Sequence, residues 1–249
     1  MSSVNLLNRL GRRLAAVSSD ARAEAVFHSW SYLRHTARRL EHLASLRIDV
    51  RGASVLEVGA GIGDHTHYYL DRDCSVTVTE VRPENLAYLR QRYPQVEVSL
   101  LDMDNPVPLT HAPFDVVHSY GLLYHLKDPG NALKFLSDHC SRLLFLETCV
   151  SFGDEPLINP VPENKGDLSQ SILGSGCRPT RNWVWRSLKD HFAHVYVPQT
   201  QPNHEEFPLD WSSRGKHPGF SRAVFVAARQ PLSNELLLSH LPDQQARHE

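Results

Sequence analysis

Glu57 sits inside the apolar run Val55-Leu56-Glu57-Val58, just ahead of Gly59-Ala60-Gly61-Ile62-Gly63, and a helix-capable segment follows through Leu70. Glycines placed between a short apolar run and a helix let the backbone turn tightly and come close to a ligand. About twenty residues on, Val76-Thr77-Val78-Thr79 ends in Glu80, an acid placed to hold ribose hydroxyls. The chemistry these residues suggest is nucleotide binding. A pyrophosphate-binding turn would read G-x-G-x-x-G, with a third glycine that lets the helix N-terminus approach phosphate. Asp64 occupies that sixth position, and a carboxylate there repels pyrophosphate. With Glu57 ahead of the turn, the pattern suits a ligand that carries positive charge.

Further on, candidate groups recur at strand ends. Val96-Glu97-Val98-Ser99-Leu100 leads to Asp102-Met103, and Phe114-Asp115-Val116-Val117-His118-Ser119-Tyr120 leads to Gly121 and then Tyr124-His125-Leu126-Lys127-Asp128-Pro129. Arg142 to Thr148 forms a fifth strand carrying Glu147 on the same edge.

The E-x-G-x-G-x-G pattern resembles motif I of the class I S-adenosylmethionine-dependent methyltransferases, whose cofactor bears an ammonium and a sulfonium but no phosphate. The FDVV strand with its His-Leu-x-Asp-Pro continuation resembles motif IV and the segment after it. The form YGLLYHL also resembles, more loosely, enzymes that carboxymethylate wobble uridine in tRNA. The resemblance spans about residues 50–230. It implies an α/β, Rossmann-like fold: a seven-stranded, mostly parallel sheet of order 3-2-1-4-5-7-6 with helices on both faces and an N-terminal helical cap. It further implies a cofactor-binding set of Glu57, Gly59, Ala60, Gly61, Gly63, Glu80, Val81, Asp102, Met103, Ser119, Tyr120 and Gly121. Asp102 would take the adenine amine, with the next backbone N–H meeting the ring.

Methyl transfer from sulfur is an in-line displacement, so the protein mainly aligns the partners and excludes water. A protonated oxygen or nitrogen acceptor also needs a base, and histidine suits that task near neutral pH. His125 is one candidate, and His204 with Glu205 as orienting acid is another. Arg178 and Arg181 could grip an anionic group as bidentate donors. Tyr32, Tyr124, Glu147, Trp183 and Glu206 complete the expected acceptor site. No metal is expected: His65-x-His67 falls where the cofactor would sit, and no H-x-x-x-H with a supporting acid occurs.

These groups need elements to carry them. Residues 20–46 repeat apolar side chains at helical spacing and predict one cap helix. Pro83 opens another helix, and residues 131–141 a third. The run 150–180, with four prolines, four glycines and no clear periodicity, reads as a lid or binding loop. Thr180 caps a helix over 182–188, and His194–Pro198 and Arg222–Ala228 are strands six and seven. The organisation expected is a helical extension (1–49), a methyltransferase domain (50–230) and a tail (231–249) with one short helix and a fraying end.

Composition narrows the function. The chain has 249 residues, 41% apolar and 22% charged, with a net charge of −2 that offers no general pull on a polyanion. Its four cysteines are scattered without a C-x-x-C pair, which favours reduced thiols and a cytoplasmic location. No apolar run reaches the ~20 residues needed to span a bilayer, and the basic N-terminus lacks the apolar core of a signal peptide. The reading is therefore an S-adenosylmethionine-dependent enzyme acting on a small molecule, without nucleic acid or membrane partners. A tRNA-modifying enzyme and a catalytically silent methyltransferase-like partner are the alternatives. The sequence leaves the oligomeric state open.

Overall fold

The computed structural model describes residues 23–212 and 221–249. The basic N-terminal segment and the first residues of the expected cap helix (1–22) lie outside the described residues.

Apolar runs buried on both faces build a central sheet. Strands β1 (Ser54–Val58), β2 (Ser75–Glu80), β3 (Glu97–Leu100), β4 (Phe114–Tyr120) and β5 (Cys140–Val150) pair in parallel. Strand β6 (His194–Pro198) and strand β7 (Ser221–Ala228) follow, with β7 antiparallel to both β5 and β6. The order is β3-β2-β1-β4-β5-β7-β6, as expected, with one addition: Leu237–Leu238 joins β6 as an eighth edge strand, β8. Val55 pairs with both Val76 and Val116, so β1 lies at the centre, where the direction of winding reverses. Ligands bind outside the carboxyl ends of the strands at such a switch point.

Helices cover both faces and divide the core in two. Helices α1 (Trp30–Ser45), α2 (Thr66–Leu70) and α3 (Pro83–Arg92) lie over one side, with Leu43, Tyr69 and Leu89 in that core. Helices α4 (Pro129–Asp138) and α5 (Arg181–Lys189) cover the other, with Leu133, Val184 and Leu188 in theirs. Asp128 caps α4 through the Asn131 N–H, and Thr180 caps α5 through the Trp183 N–H, as its sequence position predicts.

Three expectations change. The cap helix is broken: residues 23–27 form a helical segment, and Ser29 is extended (φ −59°, ψ 149°) before α1 begins. The break lets Phe27 fold down onto the glycine turn. The 150–180 segment is not featureless, because Pro160–Pro162 and Ser175–Cys177 form an antiparallel hairpin. Its prolines lie in a two-stranded ribbon, where a missing N–H is tolerated. The tail carries no helix and is pinned near its end: Ala246–Arg247 pairs with Thr200–Gln201. Gln245 is buried and bonds Arg181, Gln201, Trp211 and the Pro198 carbonyl. Backbone pairing and Gln245 outweigh any local helical tendency there. Among the described residues no helix is long and apolar enough to cross a membrane.

Candidate active site

The carboxyl ends of β1, β2 and β4 open into a cleft. Glu57, Gly59, Ala60, Gly61, Glu80, Val81, Asp102, Met103, Tyr120 and Gly121 all line it. The turn after β1 is tight: Gly61 has φ +59°, and a Cβ there would sit 2.9 Å from the Phe27 ring. Glu80 is locked in place. One oxygen accepts the Gly61 N–H (2.8 Å), and the other accepts those of Val81 (2.9 Å) and Arg82 (3.0 Å). Burial raises its pKa against these donors. Glu57 is fully enclosed and accepts the Thr66 hydroxyl at 2.7 Å. Burial, aided by Asp64, pushes its carboxyl up to about 7, so it sits between charged and neutral and would gain by meeting a cation. Asp102 accepts the Asp104 N–H and the Asn105 amide, each at 3.0 Å, which fixes it beside buried Met103.

Two members of the expected set lie elsewhere. Gly63 is packed against α3: at φ +80° its Cβ would come within 2.7 Å of Leu89 and Tyr93. It permits close helix packing and does not line the cleft. Ser119 is fully buried and does not line this cleft either.

The 150–180 segment roofs the cleft through Leu168, Ser169, Gln170, Ser171 and Ile172. Arg82 holds the roof by donating to the carbonyls of Lys165 (3.3 Å) and Gln170 (2.8 Å). His125 Nδ1 lies 2.5 Å from Glu163 Oε2, and Glu163 also accepts the Ser171 N–H at 2.9 Å and pairs with Arg178 at 3.3 Å. His125 therefore ties the roof down. Burial lowers its pKa, partly offset by Glu163.

A second cavity adjoins the first. Tyr32, Tyr124, His125, Ser169, Gln170 and Arg222 belong to both, and Trp30, Arg34, His35, Arg178, His204, Glu205 and Glu206 line only the second. His35 and His204 face each other with ring centres 4.8 Å apart. Burial, with Arg39 and Arg222 nearby, holds His35 well below the usual histidine value, and burial also lowers His204. Both are neutral at physiological pH. His35 Nε2 has no hydrogen-bond partner and lies 3.8 Å from a Glu206 oxygen. Glu205 is not the orienting acid expected for His204. It lies 3.8 Å from the ring and pairs with Arg34 at 2.7 Å, whose guanidinium brings its pKa down to about 2.

His35, His204 and Glu206 bring ligand-type atoms within 4.8 Å of one another, a grouping the sequence does not reveal. Their surroundings oppose a cation. Arg222 Nε already holds a Glu206 oxygen at 2.6 Å, and His204 Nδ1 accepts the Glu206 N–H at 3.3 Å. The neutral His204 then carries its proton on Nε2, the nitrogen a metal would need.

Glu147 lines neither cavity. It is fully buried and joins two guanidiniums, Arg39 Nη1 at 3.0 Å and Arg222 Nη1 at 3.1 Å. Arg222 reaches Tyr124 OH as well, at 3.2 Å. Arg181 is drawn away from the site: it bonds the Pro242 carbonyl and lies over the Trp211 ring. Trp183 packs against the α4/α5 core. Sequence reasoning missed Arg39 and Arg222. The available signals were an arginine on the apolar stripe of α1 and another heading the fully buried strand β7.

Residues 55–144 match the family model described as "Methyltransferase domain". A tRNA U34 carboxymethyltransferase of Alteromonas mediterranea is 34% identical over 123 residues, 44% of this chain and 36% of that protein. The chain covers less than two thirds of the length of each of the curated relatives it matches. Among solved structures, the N-terminal domain of EvdMO1, crystallised with SAH and D-fucose, is similar over 78% of this chain and 83% of its own (TM-score 0.61, 21% identity). The 1,6-didemethyltoxoflavin-N1-methyltransferase of Burkholderia thailandensis covers 93% and 92% (TM-score 0.52, 20% identity). Over residues 55–144 the chain is thus similar to a methyltransferase domain, and its sheet order and glycine turn are those that the class I S-adenosylmethionine-dependent methyltransferase resemblance implies.

Proposed function

We propose that this chain methylates an oxygen or nitrogen of a small, uncharged polar acceptor seated in the second cavity. The observation that carries the reading is the wall shared by the two cavities, across which a donor in the cleft and a nucleophile in the cavity would meet. S-adenosylmethionine, when bound, supplies a methyl group on a positively charged sulfur. Glu80 would hold the ribose hydroxyls, Asp102 and the Met103 backbone the adenine edge, and Glu57 the ammonium. The roof residues 168–172 exclude water, and the shared wall sets the approach angle. His35, held neutral, provides the base through its unpartnered Nε2, with the His204 ring packed against it.

The lining favours a neutral acceptor. Arg34, Arg178 and Arg222 are paired with Glu205, Glu163 and Glu206 respectively. Such acid–base pairs suit hydroxyl and amide groups better than phosphate. Trp30, 81% exposed at the cavity, offers a face for a ring. The sugar and the nitrogen heterocycle found with the two fold relatives are the first acceptor classes to test. A cytoplasmic location accords with four free, buried cysteines.

A second reading, a tRNA-modifying enzyme, draws on the match to the U34 carboxymethyltransferase and on Tyr120-Gly121-Leu122-Leu123-Tyr124-His125-Leu126. It requires salt-sensitive tRNA binding. The test is calorimetry with S-adenosylmethionine, followed by methyl-transfer assays on neutral sugars, nitrogen heterocycles and tRNA. Turnover of a small acceptor is expected, with an acid limb below pH 6.5 that His35→Ala abolishes together with most of the rate. Turnover confined to tRNA would replace the first reading with the second. Failure to bind the cofactor would leave only the silent-partner reading.

A further inference from the structure

His204 stands beside the base of the proposed reaction, and the backbone fixes where its own proton sits. Arg247 Nη1 donates to the carbonyls of Pro202 (2.7 Å), His204 (2.7 Å) and Phe207 (2.9 Å), which clamps the turn that carries the ring. Within that turn His204 Nδ1 accepts the Glu206 N–H at 3.3 Å. A backbone N–H can only donate, so Nδ1 holds a lone pair and the ring's single proton sits on Nε2. Glu205 Oε1 lies 3.8 Å from that nitrogen, beyond hydrogen-bond reach, and is taken by Arg34 at 2.8 Å. Among the described residues nothing accepts from the His204 N–H, although the residue is buried and lines the second cavity.

His35 presents the opposite character. Its Nε2 is buried without a partner and, as the base, offers a lone pair. The two ring centres are 4.8 Å apart, and ligand-type atoms of His35, His204 and Glu206 fall within 4.8 Å of one another. A single atom about 2.7–3.0 Å from each nitrogen bridges such a gap. That atom must receive the N–H of His204 and give a hydrogen to His35. A hydroxyl oxygen does both and keeps a second lone pair for the methyl carbon. An amine nitrogen has one lone pair only. Accepting from His204 would occupy the pair needed for attack, and not accepting leaves a buried N–H unbonded.

We propose that the reacting group is a hydroxyl held between His204 Nε2 as donor and His35 Nε2 as acceptor, and that His204 selects oxygen over amine nucleophiles. The inference rests on the proposed reading of the two cavities, with His35 as base. The His204 N–H also makes the bound hydroxyl more acidic, which suits a base that burial keeps weak. In the reaction the O–H bond breaks and its proton passes to His35 Nε2, while an oxygen lone pair forms the bond to the methyl carbon. The C–S bond breaks with its electron pair going to sulfur, which loses its positive charge as His35 gains one. Glu206, held by Arg222 at 2.6 Å, lies 3.8 Å from the nitrogen that becomes charged.

The experiment is methyl transfer by the full chain from S-adenosylmethionine to matched acceptors: hydroxyquinolines with aminoquinolines, and methyl glucosides with their amino-deoxy counterparts. Mass spectrometry of the product locates the methyl group. The hydroxy member of a reacting pair should exceed the amino member by about tenfold or more. His204→Phe keeps a ring and deletes the donor. Its rate on hydroxyl acceptors should fall about ten- to a hundredfold, the worth of one hydrogen bond to a charge-bearing oxygen. The fall should be smaller for phenolic than for aliphatic hydroxyls, which need the donor more, whereas a packing role would lower both alike. His204→Gln retains an N–H and should keep part of the rate, and it holds the test open if the Phe variant folds poorly. Nitrogen-15 spectra of the free protein, which need no acceptor, should show His204 protonated on Nε2. Preferential transfer to nitrogen, equal loss across the hydroxyl series, or His204 protonated on Nδ1 overturns the inference and leaves the small-molecule reading standing. His35 protonated on Nε2, or no transfer to any small acceptor, overturns both.

Discussion

Removal of the Glu147 carboxylate should cost more stability than any other single charge deletion around the two cavities. Glu147 is fully enclosed on β5 and holds Arg39 of α1 at 3.0 Å and Arg222 of β7 at 3.1 Å. Both guanidinium side chains are nearly enclosed, at 6% and 8% exposure. Glu147→Ala takes from Arg39 its buried carboxylate partner and leaves Arg222 with the half-buried Glu206. Breaking a buried pair by deleting one partner costs about 3–5 kcal/mol. At roughly 2–4 °C per kcal/mol for a chain of this size, the melting temperature should fall by about 6–20 °C. Glu147→Gln keeps the volume and one acceptor oxygen, so it should lie between Ala and wild type. The control is Glu205→Gln, which removes an exposed partner of Arg34 and should move the midpoint by no more than the scatter of replicates. The assay is urea unfolding followed by tryptophan fluorescence, with thermal melts alongside. A Glu147→Ala midpoint within 1 °C of wild type, or a Glu205→Gln effect as large as the Ala variant's, would refute the view that the buried triad joins α1, β5 and β7.

Glu57 should make stability fall as pH rises. Its folded pKa, about 7, lies above the ordinary 4.5, so the folded state binds the proton more tightly. The contribution is complete below pH 4.5 and is lost on the way to pH 7, a change on the order of 3 kcal/mol. Denaturation curves at pH 5 and pH 8 should show this for wild type and not for Glu57→Gln; an identical slope in both proteins sinks the assignment. Gly63→Ala should cost about 2–4 kcal/mol, because the new methyl meets Leu89 and Tyr93 at 2.7 Å in a left-handed backbone. Gly52→Ala, left-handed but with open space around it, should cost only about 1 kcal/mol. Equal midpoints for the two variants would show that packing against α3 does not matter.

Much of this protein is legible in the sequence because it rests on local patterns. Short apolar runs ending in Gly59, Glu80, Asp102 and Gly121 fix the parallel strands and their shared edge, since strand period and turn chemistry depend on near neighbours. The order of those segments determines the fold family and the floor of the cofactor cleft. Capping residues such as Thr180 are equally local. The tail is where local reasoning failed: a short amphipathic stretch looks helical until Gln245 and the strand pairing at 246–247 claim it.

The acceptor side was decided by tertiary structure alone. His35 and His204 lie far apart in sequence, and only the packing of α1 against the 199–211 loop brings their rings to 4.8 Å. His125 and Glu205 looked like catalytic groups by spacing, yet each is claimed by a partner that spacing cannot reveal, Glu163 and Arg34. Arg39 and Arg222 were silent in the sequence because an arginine's role depends on which buried carboxylate it meets, and Glu147 comes from a third element. Backbone pattern is written in neighbouring residues; the protonation and pairing of buried charged groups are set by what the folded chain places around them.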